Sequence, residues 1–156
     1  FGVQANYPFT HNRITTSKRT MQGSEVVSEN QSRPLFGQAA HVANVSLLYK
    51  SSRWHWEGQI SYGYTGKRLS DISNWLDDDI WEKGYHRIDL SLEKGFPKAG
   101  ITLFAKASNL LDTPVVRIVG RGDHTATVDT PRDNGYVIER KEWHGQSFML
   151  GLRWKL

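Results

Sequence analysis

Phe148-Met149-Leu150-Gly151-Leu152-Arg153-Trp154-Lys155-Leu156 alternates without a break. In an extended chain successive side chains point to opposite sides, so Phe148, Leu150, Leu152, Trp154 and Leu156 share one face. Met149, Gly151, Arg153 and Lys155 share the other. One face is wholly apolar and the other carries two cations, which suits a sheet standing between lipid and water. Nine residues is also the length of a tilted strand that crosses a bilayer. The expected fold class is therefore all-β, an antiparallel transmembrane β-barrel segment.

Working back from this strand, five more strand-like stretches can be read, joined alternately by long and short connections. The first runs from about Val3 to Thr16, with a break expected at Pro8, which lacks an amide donor. A polar connection from Ser17 to about Pro34 follows. The second strand covers about Gln38 to Lys50. A tight turn at Ser51-Ser52 leads to the third, in which Trp54, Trp56, Gly58, Ile60, Tyr62 and Tyr64 share one face. A long loop is expected over Lys67 to Gly84. The fourth strand alternates Ile88, Leu90 and Leu92 with Arg87, Asp89, Ser91 and Glu93. A short Pro- and Gly-containing turn, Gly95 to Gly100, leads to the fifth, Ile101 to Ala107. Phe104 breaks its pattern by sitting among polar residues. The strand is read as resuming at Val115 to Val119, before a third long loop from Gly120 to about Asn134. The last strand begins near Tyr136 and includes Ser147 to Leu156.

Three long loops at one end and two short turns at the other match the asymmetry of membrane barrels. On that reading the turns at Ser51 and Pro97 face the periplasm, and the loops near Glu25, Asp78 and Asp123 face outward. Trp54, Trp56, Tyr62 and Tyr64 lie at the two ends of one strand, as two interfacial aromatic girdles would place them. Arg87, Asp89, Glu93 and Lys106 are expected to pair across the wall on the polar face.

Composition narrows the classes. The 156 residues make one domain or a piece of something larger, and opening on Phe1 inside a strand-like stretch favours the piece. Mean hydropathy is −0.56 and no run of about 18 apolar residues occurs, which excludes a transmembrane helix but not a barrel. Cysteine is absent, so there is no disulfide framework and no thiolate site. The net charge of +4 comes from scattered cations with no block that reads as a nucleic-acid footprint.

Candidate chemistry is sparse. Asp77-Asp78-Asp79 offers carboxylates to a hard cation, but three adjacent side chains converge poorly and no glycine follows at loop spacing, so a solvated acidic loop is expected. Trp75 and Trp81 flank it and suit stacking on a sugar or aromatic ligand, or interfacial anchoring. These five residues are the candidate extracellular ligand contacts. His11, His41, His55, His86, His124 and His144 show no metal-ligand spacing. No Gly-x-Ser-x-Gly elbow or triad spacing is present. No catalytic residue, cofactor or metal site is expected, and the chain is not expected to be an enzyme.

The segment Trp81-Glu82-Lys83-Gly84-Tyr85-His86-Arg87-Ile88-Asp89-Leu90-Ser91-Leu92 and the box Asn109-Leu110-Leu111-Asp112, followed by an aromatic-rich last strand, resemble the C-terminal end of TonB-dependent outer-membrane receptors. The last strand resembles the signal read by the barrel-assembly machinery, though it closes on Leu156 instead of an aromatic. The resemblance implies that residues 1–156 are the final six strands of a 22-stranded barrel, without the N-terminal plug and TonB box. It implies integral residence in the Gram-negative outer membrane and energised uptake of a scarce nutrient such as a siderophore, haem, cobalamin or glycan. Implied partners are outer-membrane lipid, the remaining strands and plug, the TonB complex through the missing N-terminal part, and the assembly machinery. Two other architectures remain open: a small complete outer-membrane barrel, adhesin-like or enzymatic, and a soluble β-sandwich carbohydrate-binding module.

Overall fold

The structure, a computed structural model, describes residues 1–119, 132–133 and 136–155. Its strands in chain order are β1 (Gly2–Asn6), β2 (Ile14–Gln22), β3 (Glu25–Arg33), β4 (Val42–Ser51), β5 (Trp56–Thr65), β6 (Arg68–Asp71) and β7 (Ile80–Glu82). They continue with β8 (Tyr85–Phe96), β9 (Ile101–Ser108), β10 (Val115–Val119), β11 (Arg132–Asp133), β12 (Tyr136–Glu142) and β13 (Ser147–Trp154). A single 3-10 turn, Pro97–Ala99, joins β8 to β9, and no α-helix occurs among the described residues. The all-β antiparallel class expected from the alternation is what forms.

The main sheet has six strands in the order β1-β4-β5-β8-β9-β13, every pair antiparallel. Residues directly opposite one another in an antiparallel pair share a face. One continuous row therefore runs Val3, Leu47, Ile60, Leu90, Ala107 and Phe148 across all six strands. Adjacent rows carry Val45, Tyr62 and Ile88, and Gly58, Leu92, Ala105 and Leu150. The other face carries Ser46, Ser61, Asp89, Gln59, Ser91, Lys106 and Glu93.

That apolar face is bare. Leu47 keeps 54% of its surface and Leu150 85%. The buried hydrophobic residues, Leu69, Val116 and Ile118, lie instead in a second sheet of order β11-β12-β10-β7-β6. There Leu69, Trp81, Ile118 and Ile138 stand opposite one another in one row. The second sheet extends the first at one end. β5 passes into β6 across Gly66-Lys67, and β7 into β8 across Lys83-Gly84. Gly66 and Gly84 are close here, and a Cβ on Gly84 would lie 3.3 Å from the Gly66 Cα and 3.1 Å from the Thr65 carbonyl oxygen. The bend needs glycine for close backbone approach.

Several boundaries differ from the sequence expectation. The first strand ends at Asn6 rather than Thr16, because Pro8 interrupts it and Ile14 opens a separate hairpin. The expected polar connection 17–34 is largely that hairpin, β2 with β3, turned by Gly23 at φ 65°. The expected loop 67–84 contains β6 and β7, and β10 joins the second sheet instead of resuming β9. The turn after β4 extends to His55, which takes φ 52°, so Trp54 sits in the turn. The last strand starts at Ser147, after a break at Gly145 with φ 74°. Short strands among polar residues read as loop until long-range pairing is known. Of the third expected loop, Gly120 to about Asn134, Arg132–Asp133 form β11, and the rest of it and Leu156 lie outside the described residues.

The polarity of connections matches the expectation: the turns after β4 and β8 lie at one end, and the β2–β3 hairpin and second sheet at the other.

Candidate functional site

Strands β6, β7, β10 and β12 place one charged residue each in a row on the face opposite the Leu69 row: Arg68, Glu82, Arg117 and Arg140. Arg68 Nη2 holds Glu82 Oε1 at 2.7 Å, and Glu82 is buried. Arg140 Nη1 lies 3.3 Å from Glu142 Oε1. Between them, Arg117 Nε is buried and has no hydrogen-bond partner among the described residues.

Arg68, Glu82 and Arg117 of this row form one wall of a cavity of about 470 Å³. The other walls come from the loop end of the main sheet: Tyr85 and Arg87 of β8, Ser108 at the end of β9 with Asn109 after it, and Ser147 of β13, with Thr113, Glu142 and His144 closing the rim. The volume falls within the usual range of small-molecule sites.

Of the Asn109-Leu110-Leu111-Asp112 box, Asn109 lines this cavity. Asn109 takes φ 57° and Asp112 φ 44°, left-handed conformations that Asn and Asp adopt more readily than other side-chain-bearing residues. The Asn109 amide donates to Asp89 Oδ1 at 2.8 Å, and its side-chain Nδ2 donates to the Gly145 carbonyl at 2.8 Å. The Leu110 amide donates to the Ile88 carbonyl at 2.9 Å, and the Gln146 side chain donates to the Leu110 carbonyl at 2.7 Å. The box thus ties β8, β9 and the start of β13 together. Asp89 also accepts from Arg87 Nε at 2.9 Å, which fixes that guanidinium at the cavity wall.

The acidic triplet does something different from what its sequence suggests. Asp79 is only 3% exposed, with its Oδ1 2.6 Å from Lys18 Nζ and its Oδ2 3.7 Å from Arg33 Nε. The Ser73 amide donates to the same Asp79 Oδ1 at 2.8 Å. Asp77 takes φ 60° and accepts from Gln31 Nε2 at 2.8 Å. The expected solvated acidic loop is therefore a latch on the β2–β3 hairpin, because two cations from that hairpin reach it. Asp78 stands half-buried between them, and no cluster of three metal-ligating side chains occurs among the described residues. Trp75 is exposed and its segment pairs with Arg19, whose amide donates to the Asn74 carbonyl at 2.9 Å. Trp81 instead faces inward under Lys67, whose Nζ lies 4.5 Å from the ring centroid. Burial, and then the charge of Lys83, hold the Lys67 ammonium below its usual pKa. Trp75 and Trp81 do not form one stacking platform, since Trp81 is committed to the core row.

Of the polar-face charges, Arg87 pairs with Asp89 along its own strand, and Glu93 pairs with Arg153 of β13 rather than with Lys106. Phe104 lies beside that ion pair, with the Arg153 guanidinium 5.5 Å from its ring centroid.

The apolar face ends in two aromatic rows. At the turn end, Lys94 Nζ lies 5.0 Å from the Trp56 ring centroid and 5.8 Å from that of Phe96, and Phe1 meets Tyr49 at 5.1 Å. At the opposite end, Tyr62 bonds His86 Nδ1 at 2.6 Å while Tyr64 stacks on the same imidazole at 4.9 Å. Tyr7 bonds His41 Nδ1 at 2.7 Å and Phe9 packs on that ring at 5.1 Å.

The arginine row was not singled out from sequence: Arg68 and Glu82 fall in the stretch read as the loop 67–84, and Arg117 and Arg140 in stretches read as parts of two different strands. The signal that marks it is a single charge between apolar residues, as in Val116-Arg117-Ile118. The chain matches no family model, no curated protein and no solved structure.

Proposed function

We propose that this chain forms part of the wall of an outer-membrane transport barrel, the C-terminal strands of a TonB-dependent receptor. The observation that carries the membrane reading is the bare apolar face of the six-stranded sheet, bounded at both ends by aromatic rings. A soluble sandwich covers such a face with a second sheet, whereas here the second sheet continues the first end to end and leaves it open. Trp56 and Tyr64 stand eight residues apart on β5. At about 3.4 Å per residue they are about 27 Å apart along the strand. Tilted by ~40°, that is about 21 Å along the membrane normal, near the ~25 Å apolar band of outer-membrane barrels. Tyr, Trp, Lys and His at its margins are the side chains that keep one end wet and the other in hydrocarbon.

Six strands are fewer than the eight of the smallest such barrels, so the sheet calls for further strands at the edges formed by β1 and β13. The box at Asn109 supports the receptor family over other barrels, as do the long elaborations confined to one end. On this reading that end faces outward, the polar face lines the lumen, and transport of a scarce nutrient depends on a plug and on the TonB complex.

Cell fractionation tests the membrane half: the protein is expected in the outer-membrane fraction, released by detergent and not by salt or alkali. Recovery in the soluble fraction would overturn it. Sequencing the gene upstream of Phe1 tests the family half, which predicts a plug domain there, and its absence would favour another barrel.

A further inference from the structure

We propose that the cavity where the second sheet meets the main sheet binds a small anionic solute, bearing carboxylate or phosphate, with Arg117 as its principal partner. Of the arginines and carboxylates that line the cavity, Arg68, Arg87 and Arg117 stand against Glu82 and Glu142, three cations to two anions. Arg68 holds Glu82 at 2.7 Å, Arg87 is paired with Asp89 at 2.9 Å, and Glu142 is paired with Arg140 at 3.3 Å. Arg117 is left over.

Arg117 stands in its row between Glu82, directly opposite on β7, and Arg140, directly opposite on β12. Glu82 is already held by Arg68, and Arg140 is a like charge, which repels across a strand pair. The Arg117 Nε is buried with no hydrogen-bond partner among the described residues. A buried cationic donor left unpaired loses its hydration with nothing in return. A planar guanidinium satisfies that deficit best through two parallel bonds to a carboxylate or phosphate. The cavity it borders also offers the hydroxyls of Ser108, Thr113 and Ser147, neutral donors that suit the remaining oxygens of such a group.

This inference goes beyond the membrane reading and does not depend on it, since its test reads the cavity in the purified protein, with or without detergent. Citrate and inorganic phosphate are the probes, each compared with sodium chloride at equal ionic strength. A ligand that binds only the folded state raises Tm in proportion to the logarithm of its concentration. At least one of the two anions is expected to raise Tm where chloride does not. Calorimetric titration of that anion is expected to weaken at least tenfold in Arg117→Gln and less in Arg117→Lys. Arg153→Gln removes the same charge from the polar face away from the cavity and is expected to leave the affinity unchanged. Equal shifts in chloride and in both probes would overturn the proposal, as would equal losses in Arg117→Gln and Arg153→Gln. Should Arg117→Gln not fold, the wild-type chloride comparison and Arg153→Gln still decide it.

Discussion

The ring of Phe104 on β9 lies over the backbone of Gly151 directly opposite it on β13. A Cβ built on Gly151 would collide with the ring, falling 2.7 Å from both Cε1 and Cε2. The glycine is what lets an aromatic residue lie down on the polar face, and the ring in turn covers the exposed backbone that glycine leaves. The Arg153 guanidinium then packs beside the ring and pairs with Glu93. Gly151→Ala is expected to destabilise the protein by about 1–3 kcal/mol, the usual cost of overpacking. Phe104→Ala should make that substitution nearly silent, and a double-mutant cycle by denaturant unfolding measures the coupling. Additive effects would mean that the two residues do not share this space.

Leu150 and Met149 are neighbours in sequence on opposite faces of β13. If the bare face meets lipid, Leu150→Arg puts a cation near the bilayer midplane at about 2–4 kcal/mol. Met149→Arg lands beside Lys106 on the polar face and should cost far less. Folding into phospholipid vesicles followed by tryptophan fluorescence or gel mobility compares the two. Equal damage from both would remove the assignment of faces.

Asp79 is the keystone of the hairpin latch. Asp79→Ala leaves Lys18 and Arg33 buried with no counter-charge, and breaking a buried pair from one side costs about 3–5 kcal/mol. The damage should stay local, because the β2–β3 hairpin forms its own two-stranded sheet. Hydrogen exchange is expected to accelerate in residues 14–33 and 72–79 while the six-stranded sheet keeps its protection. Lys18→Met in the Asp79→Ala background should recover part of the loss, since it withdraws one stranded charge.

How much of this was legible beforehand follows from the range of the interactions. The strands of the main sheet could be read because each alternates over many residues, and a period of two needs no partner to be seen. Phe104 looked like an error in that pattern. Its explanation sits 47 residues away at Gly151, which sequence periodicity cannot connect. The acidic triplet misled for a similar reason: three aspartates in a row look solvated, and the cations that bury Asp79 come from a hairpin hidden in a polar stretch. The Asn109 box was recognisable as a motif, but its role as a three-strand tie depends on Asp89 and Gly145 arriving beside it. The arginine row was the least visible, being assembled from four short strands.

Lys67 offers a pH-dependent prediction in the segment between β5 and β6. Its ammonium lies against Trp81 and Tyr136, and burial followed by the charge of Lys83 lowers its pKa below the ordinary 10.5. Between the folded-state pKa and 10.5 the unfolded chain binds more protons than the folded one, so this residue makes stability rise with pH across that window. Lys67→Met keeps the apolar stem against the rings and removes the titration. The rise in unfolding free energy at alkaline pH should therefore flatten in Lys67→Met relative to the unsubstituted protein, as measured by denaturant unfolding at a series of pH values. An unchanged slope would show that the ammonium loses no more hydration on folding than an exposed lysine does, and that its aromatic contacts offset the burial.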